Sequence, residues 1–181
     1  MNVQNAARFG ADLARIAIGD LPPDARFSLR VGPADRAEVA EAIGVALPEK
    51  IGARAVDGGR SALCLGPDEW LVAADEAEAA GLAAGFAEVA GRLSVSAVEV
   101  SDREITLALE GPAVLDLLAT GCPRDLARIP VGHGTRTVFD TAQVVLTREA
   151  EDRFHLTVWR SFAPHVRALL DTAARELAAG L

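Results

Sequence analysis

The residues best suited to acid–base or nucleophilic chemistry are three histidines and two cysteines. His155 alternates with apolar residues, which predicts an exposed position on a strand. His133 lies in a glycine-flanked loop, either near a ligand or in solvent, and His165 opens a predicted helix. No HxxxH or HExxH spacing indicates a metal site, and no GxSxG motif or local Cys–His pair supplies a nucleophile with its base. We therefore predict no catalytic, cofactor-binding or metal-binding residue in this chain.

Cys64 and Cys122 are too few for a disulfide framework and form no CxxC motif. Reduced thiols are typical of cytoplasmic proteins. The N-terminal apolar run is broken by charges, unlike a signal peptide, and no stretch of about 20 apolar residues could cross a membrane. The sequence thus predicts a soluble, cytoplasmic protein without a membrane partner.

Nucleotides and ring cofactors are disfavoured as ligands of this chain. Gly132-x-Gly134 lacks the remaining glycine of a dinucleotide loop, and there is no Walker A motif. The net charge of −8 argues against binding to nucleic acid. Aromatic residues make up 4% of the chain, with no tyrosine, so little ring surface is available to stack on a flavin, pterin or base.

The elements that position these residues follow one order twice: strand, helix, hairpin strands, strand, helix. With 181 residues, half of them hydrophobic, the chain suits one ordinary domain or two small subdomains sharing a core. The order is that of a ferredoxin-like, or split βαβ, unit repeated once. We predict an α+β fold in which two pseudo-symmetric ferredoxin-like halves form one body. The equivalent pairs are Leu29 with Leu107, 78 residues apart, and Trp70 with Phe154 and Phe86 with Leu170, each 84 apart.

This repeat divides the chain into an N-terminal extension (1–24), a first ferredoxin-like half (25–101) and a second half (102–181). The clearest helices are predicted over 76–92 and 162–178, the latter capped by Ser161. Others start at the Gly-Pro pairs 32–33 and 111–112. The extension is predicted to contain an amphipathic segment, because helical spacing relates Phe9, Leu13, Ile16 and Ala17.

One cluster of residue types indicates an interface. Trp159 and Arg160 follow the last predicted strand, and both types anchor protein interfaces. Arg136 lies on the opposite side of its strand from Thr135 and Thr137. The alternative is a half-buried tryptophan that shields the core beside surface arginines.

Four sequence strings, in this order, resemble the gamma subunit of heterotetrameric sarcosine oxidase. The similarity runs from about residue 25 to the C-terminus and leaves 1–24 outside. The strings are Leu65-Gly66-Pro67-Asp68-Glu69-Trp70-Leu71, then Gly121-Cys122-Pro123-Arg124-Asp125-Leu126, then Pro130-Val131-Gly132 with Thr135-Arg136-Thr137, and finally Val158-Trp159-Arg160-Ser161-Phe162-Ala163.

The resemblance implies a fold related to the folate-binding domain of the glycine-cleavage aminomethyltransferase. It also implies a reaction for the assembled complex, which demethylates sarcosine oxidatively to glycine with O2 and yields H2O2. With tetrahydrofolate present, the one-carbon unit leaves as 5,10-methylenetetrahydrofolate. In that family FAD, FMN and NAD are held by the alpha and beta subunits, the folate site is in alpha, and a delta subunit completes the complex.

Within such a complex this chain is expected to be a non-catalytic subunit that buttresses the alpha, beta and delta subunits. It lacks both the Rossmann glycine loop and a recognisable aminomethyltransferase catalytic motif. The expected interface or scaffold residues, taken from the matching strings, are Asp68, Glu69, Trp70, Cys122, Pro123, Asp125, Arg136, Trp159, Arg160, Ser161 and Phe162.

Two other functions fit the same sequence. One is a stand-alone folate-binding protein with a pocket at the pseudo-two-fold axis, and the other is a small-molecule sensing module of paired ferredoxin-like units. Fold alone does not choose among them. The sequence also leaves open whether the complex would use sarcosine or a related N-methyl amino acid.

Overall fold

The computed structural model describes residues 16–180, which fall into two compact units. The first unit comprises residues 22–103 and 133–135; the second comprises the described residues up to 21 together with 104–132 and 136–180. Each unit is built on a five-stranded antiparallel sheet. In each, helices cover one face of the sheet, and the core lies between sheet and helices.

The first unit has its strands in the order β3-β4-β5-β2-β6. Two α-helices and two short 3-10 turns connect them. Its elements are β2 (Asp24–Val31), α1 (Arg36–Ile43), β3 (Arg54–Asp57), β4 (Arg60–Gly66), β5 (Glu69–Asp75), a 3-10 turn (Glu76–Glu78), α2 (Ala79–Ala90), β6 (Val95–Glu99) and a 3-10 turn (Ser101–Arg103).

The second unit has its strands in the order β1-β7-β10-β9-β8. Its long last helix packs against the sheet through Val166 and Leu170. Its elements are β1 (Ala17–Asp20), β7 (Glu104–Glu110), α3 (Val114–Ala119), a 3-10 turn (Leu126–Arg128), β8 (Gly134–Phe139), β9 (Ala142–Ala150), β10 (Arg153–Trp159) and α4 (Ala163–Ala178).

The two sheets share the arrangement of their central strands, which confirms the predicted pair of ferredoxin-like halves. In the first, β5 lies between β2 and β4; in the second, β10 lies between β7 and β9. These are the split βαβ arrangements that the repeated order predicts. The two sheets differ at one edge, because β6 flanks β2 in the first whereas β1 flanks β7 in the second. In the second unit the place of β6 is thus taken by β1, which precedes the other described strands of the chain.

The helical prediction for the N-terminal segment is wrong for residues 17–20. These residues form β1, in register with β7 from Ala17 opposite Glu110 to Asp20 opposite Leu107. Ile18 packs on the core while its neighbours are exposed, so the segment follows a period of two. The open edge of β7 offers unpaired backbone N–H and C=O groups to this segment, which is too short to form a stable helix by itself. The Phe9 and Leu13 part of that prediction lies outside the described residues.

Helix starts also differ from the predictions by a few residues. The helix after Pro33 begins at Arg36, and the helix predicted from residue 76 begins at Ala79, after a 3-10 turn. Ser161 does not cap α4, because Phe162 occupies the N-cap position without a side-chain capping hydrogen bond. A turn closed by a hydrogen bond from the N–H of Phe162 to the carbonyl oxygen of Trp159 separates β10 from the helix, and Ser161 lies within this turn.

The core of the first unit brings its two helices unusually close together. Phe27 of β2 and Phe86 of α2 have ring centroids 5.2 Å apart. Where α2 crosses α1, a Cβ atom added at Gly85 would lie 2.6 Å from the carbonyl oxygen of Ala42. Only glycine fits this crossing without moving the backbone, so Gly85 sets the distance between the helices.

Candidate functional site

The predicted interface residues of the first unit form an ion-pair cluster beside a buried indole. Asp68 Oδ1 accepts a hydrogen bond from Nη1 of Arg30 at 2.9 Å, and Glu69 Oε2 accepts one from Nη2 at 3.1 Å. Glu69 lies directly opposite Arg30 in the β2–β5 register. Such a partly exposed cross-strand pair contributes about 0.2–1 kcal/mol. This cluster therefore acts mainly within its own sheet.

Trp70, which the matching string marks as an interface or scaffold residue, is a core residue of the first unit. It is 1% exposed, and its indole Nε1 donates a 2.8 Å hydrogen bond to the carbonyl oxygen of Pro48. Alternation along β5 turns Trp70, Val72 and Ala74 to the helix-covered face. Its contribution is to the stability of the first unit.

The second matching string lies in the segment that follows α3. Cys122 is buried, its N–H donates to Leu118 O at 2.8 Å, and its Sγ lies 3.8 Å from Thr137 Oγ1. Pro123 and Asp125 are exposed, and Asp125 pairs with Arg128 at 3.2 Å. Cys122 is thus a packed thiol, and the exposed part of the string is the short stretch after it.

A residue that the sequence reasoning missed, Arg148, holds the next stretch of this segment. Its Nη1 donates to the carbonyl oxygens of Ala127 and Ile129 at 3.2 and 2.9 Å, and its Nη2 donates to that of Glu151 at 3.0 Å. The guanidinium carbon also lies 5.5 Å from the ring centroid of Phe154. Its position in the strand could have indicated that Arg148 points inward, because alternation places it on the same face of β9 as two core residues, Val144 and Leu146.

The fourth string forms an exposed aromatic turn. The carbonyl oxygen of Trp159 accepts a 2.9 Å hydrogen bond from the N–H of Phe162, and that of Arg160 accepts one from Ala163 at 3.4 Å. The rings of Trp159 and Phe162 lie side by side, with centroids 6.3 Å apart and planes tilted by 46°. Arg160 and Ser161, at the tip of the turn, are both exposed. We call this turn, residues 159–162, the aromatic turn.

The sheet face that continues from the aromatic turn carries a second arginine. Val158 and Phe139 point into the core, so alternation places Trp159 of β10 and Val138 of β8 on the opposite face of the same sheet. Arg136 lies on this face too and is exposed, as predicted, on the opposite side of β8 from the threonines. The structure therefore places Arg136 and Trp159 on the same face of one sheet, with Arg160 and Phe162 in the turn that follows, and leaves Asp68 and Glu69 on the other sheet.

Two of the three histidines lie close to carboxylates. His165 Nε2 lies 3.1 Å from Oδ2 of Asp140, and His155 Nδ1 lies 3.5 Å from Oε1 of Glu149. Asp140 occupies the left-handed turn between β8 and β9, with φ of 53°. The hydrogen bond from His165, supported by bonds from Thr141, lowers the pKa of the Asp140 carboxyl. The pair connects the β8–β9 hairpin to the first turn of α4.

A His165→Ala substitution should raise the pKa of Asp140 toward its ordinary value of about 3.9. The hydrogen bond from His165 is the largest cause of the lowered pKa, and the bonds from Thr141 are smaller causes. Thr141→Val should therefore raise the pKa of Asp140 by less than His165→Ala does. In the wild type this carboxylate stabilises the fold above the ordinary pKa, and the contribution is lost as pH falls through the lowered one. Carbon-13 NMR titration of the Asp140 carboxyl would measure all three proteins; equal values in the wild type and His165→Ala would contradict the pair.

The remaining thiol and the potential metal ligands offer no reactive centre. Burial raises the pKa of the Cys64 thiol, and its Sγ lies 3.2 Å from the carbonyl oxygen of Gly66. A raised pKa keeps this thiol protonated and weakly nucleophilic. Across residues 16–180, His, Cys, Asp and Glu side chains form no group of three that could hold a metal ion.

A bilayer core needs about 20 predominantly apolar residues in one helix. Within the part of the chain that the structure describes, no helix meets this requirement.

A cleft lies beside α4 in the second unit. It encloses about 200 Å³, with Phe139, Leu169 and Ala173 on its walls and Asp140 and Glu176 among its polar groups. This volume is below the roughly 300 Å³ at which pockets for drug-sized ligands begin. The cleft therefore suits a side chain or a small molecule better than a flavin or a folate.

Comparison with known proteins shows consistent relatives. Residues 29–176 match the model of the sarcosine oxidase, gamma subunit family. The sarcosine oxidase subunit gamma of Corynebacterium sp. (strain U-96) is 33% identical over 151 residues, which cover 82% of this chain and 73% of that protein.

Solved structures give the same result for the fold. A chain of the heterotetrameric sarcosine oxidase from Corynebacterium sp. U-96, in complex with pyrrole 2-carboxylate, matches with a TM-score of 0.85 and 29% identity over 97% of this chain and 93% of that one. The glycine cleavage system aminomethyltransferase T of Bartonella henselae shares the fold, with a TM-score of 0.64 and 18% identity over 99% of this chain and 54% of that one. The α+β prediction and the predicted resemblance are both confirmed. Because the family model spans most of the sequence, the chain belongs to the sarcosine oxidase gamma subunit family.

Proposed function

We propose that this chain is the non-catalytic gamma subunit of a heterotetrameric sarcosine oxidase. The observation that carries the proposal is the match of nearly the whole chain to a chain of that assembly, together with the family to which the sequence belongs. The partners would be alpha, beta and delta subunits. The assembly would demethylate sarcosine to glycine with O2, produce H2O2, and form 5,10-methylenetetrahydrofolate when tetrahydrofolate is present.

In this proposal FAD, FMN, NAD and tetrahydrofolate bind to the partner subunits. The chemistry of this chain's own residues supports that assignment. His155 and His165 lie against carboxylates, both cysteines are buried, and five of the seven described aromatic side chains lie in the cores. Side chains committed in this way stabilise the fold and are poorly placed to stack on a ring cofactor or to transfer a proton to a substrate.

The role that remains is to stabilise the complex. A subunit that binds only the folded and assembled form of its partners shifts their folding equilibrium by mass action. The packed sheet and helices of each unit suit this role, because a preorganised surface loses little conformational freedom when it binds. The aromatic turn and the arginines near it are the exposed residues that fit such a surface best.

The decisive experiment is co-expression with the neighbouring genes, with and without this chain, followed by sarcosine-dependent peroxide assays. The proposal predicts a complex that contains this chain and flavin, and loss of assembly or activity when the chain is omitted. The chain expressed alone should show no flavin absorbance. Full activity and an intact complex in its absence would overturn the scaffold role.

A stand-alone folate-binding function is the second candidate, favoured by the shared fold with aminomethyltransferase T. It predicts that tetrahydrofolate raises the melting temperature of the isolated chain. At 100 times its dissociation constant, a ligand stabilises the folded state by about 2.7 kcal/mol, which is easily measured. The gamma-subunit proposal predicts no such shift without the partners.

A further inference from the structure

The aromatic side chains of this protein are distributed in a way that packing does not explain. The aromatic content is low, at 4% of the sequence. Of the seven aromatic residues in the described chain, five are at most 4% exposed, whereas Trp159 and Phe162 are 40% and 43% exposed. These two belong to the same turn, and their rings are in contact.

The backbone fixes this pair on the surface. Trp159 ends β10, directly opposite Glu104 of β7, so the pleat of the sheet sets the direction of its side chain. Phe162 provides the first helical carbonyl of α4, which accepts a 3.0 Å hydrogen bond from Val166. Aromatic side chains held in place before binding lose little conformational entropy when a partner covers them. This is the usual composition of an energetic hot spot in a protein interface.

The charges nearby define the chemistry of the partner. The protein as a whole carries a net charge of −8, yet the exposed side chains on this side of the turn include Arg160 and Arg136. An aromatic pair flanked by arginines complements an apolar recess bordered by carboxylates.

We infer that the aromatic turn is the anchor by which this subunit docks on a catalytic subunit of the oxidase, into an apolar recess with an acidic rim. The inference rests on the proposed function and adds to it the residues that bind and the surface that receives them. Trp159 and Phe162 fill the recess, while Arg136 and Arg160 pair with the rim.

The test compares two double variants of the full chain, each co-expressed with the partner subunits. Trp159→Ser with Phe162→Ser removes the anchor. Ile51→Ser with Val98→Ser removes two apolar side chains that are even more exposed, at 59% and 56%, but lie in the first unit. A hot-spot loss corresponds to about 30-fold weaker binding or more, measured as the share of complex that each variant captures when it competes with the wild-type chain for the co-expressed partner subunits. The control pair should bind like the wild type.

The charge of the recess is tested separately by Arg136→Glu with Arg160→Glu. This double variant should bind the partner subunits more weakly than the wild type does. High salt should reduce the difference in affinity between the two proteins, because it screens the interactions between charges. If the double variant binds as tightly as the wild type, the inference that the recess has an acidic rim is wrong.

A measurement on the unmodified protein covers the case in which a variant fails to fold. Hydroxyl-radical footprinting of the wild-type complex should show protection of Trp159 and Phe162, with Ile51 and Val98 unprotected. Equal oxidation of Trp159 and Phe162 in the free and the assembled chain, or normal binding of the folded aromatic variant, would overturn the inference. If the wild-type chain forms no complex at all, it is the proposed function that fails.

Discussion

A Gly85→Ala variant is expected to melt at a lower temperature than the wild type, although alanine is the better helix former. The added methyl group would meet the carbonyl oxygen of Ala42 at 2.6 Å, inside the distance that real Cβ atoms keep from such atoms. Helix propensity favours alanine by up to about 1 kcal/mol, but overpacking a tight contact costs about 1–3 kcal/mol or more. Steric repulsion should win here because the obstacle is the backbone of α1, which cannot rotate away.

We expect a net loss of about 2 kcal/mol for Gly85→Ala, or roughly 4–8 °C in melting temperature for a chain of this size. Gly81→Ala in the same helix is the matched control. Gly81 is exposed, and a Cβ there would meet only the flexible ends of two side chains, Nη2 of Arg60 at 3.6 Å and Oε2 of Glu78 at 4.0 Å. This change should therefore stabilise the protein by about 0.5–1 kcal/mol. Thermal unfolding of both full-length variants tests the pair; a rise in melting temperature for both would contradict the close crossing of α1 and α2.

The repeated order of strands and helices could be predicted from the sequence because it depends on local periodicity. Alternation marks β2, β7 and β10, and a clear helical stripe marks α2 and α4. The strand β1 could not be predicted in the same way. Its few apolar residues fit helical spacing and alternation about equally well, and the choice is made by the unpaired edge of β7, nearly 90 residues away in sequence. Edge pairing of this kind is non-local and leaves little trace in a short segment.

The candidate site was predictable by residue type but not by burial. Trp159 and Trp70 are the same residue type, and both are expected at interface or scaffold positions, yet one is exposed and the other is in the core. The repeat itself held the distinction, because Trp70 is equivalent to Phe154, an inward position of its strand. Arg148 was missed for the opposite reason, since a charged residue is normally assigned to solvent. Its position on the inward face of β9 outweighs that rule because backbone carbonyls surround its guanidinium.

Replacing Arg148 with methionine should be among the most destabilising single changes in the second unit. Methionine keeps the apolar stem but removes the donors that satisfy the carbonyl oxygens of Ala127, Ile129 and Glu151. A buried acceptor left without its partner costs about 1–3 kcal/mol. Water can reach some of these carbonyls once the segment loosens, so we expect a total loss of about 2–4 kcal/mol. The ion pair with Glu151 adds little, because Glu151 is largely exposed.

In Arg148→Met, protection from hydrogen exchange should be lost first in the segment that Arg148 holds and only later across the second unit. This order distinguishes a residue that clamps one segment to the sheet from a residue that packs in the core generally. The segment around the 3-10 turn Leu126–Arg128 is tied to β9 by the Arg148 side chain and by one backbone bond, from Gly132 N–H to Arg148 O at 2.7 Å. Hydrogen exchange in Arg148→Met should therefore quicken in residues 123–132 at temperatures where β7 and β10 stay protected. Arg148→Lys retains the charge but cannot form the planar fork, so it should loosen the same segment. Arg153→Met removes an exposed arginine from β10 and should leave both stability and exchange unchanged. If Arg148→Met weakened protection uniformly across the second unit, or behaved like Arg153→Met, Arg148 would not be the clamp of this segment.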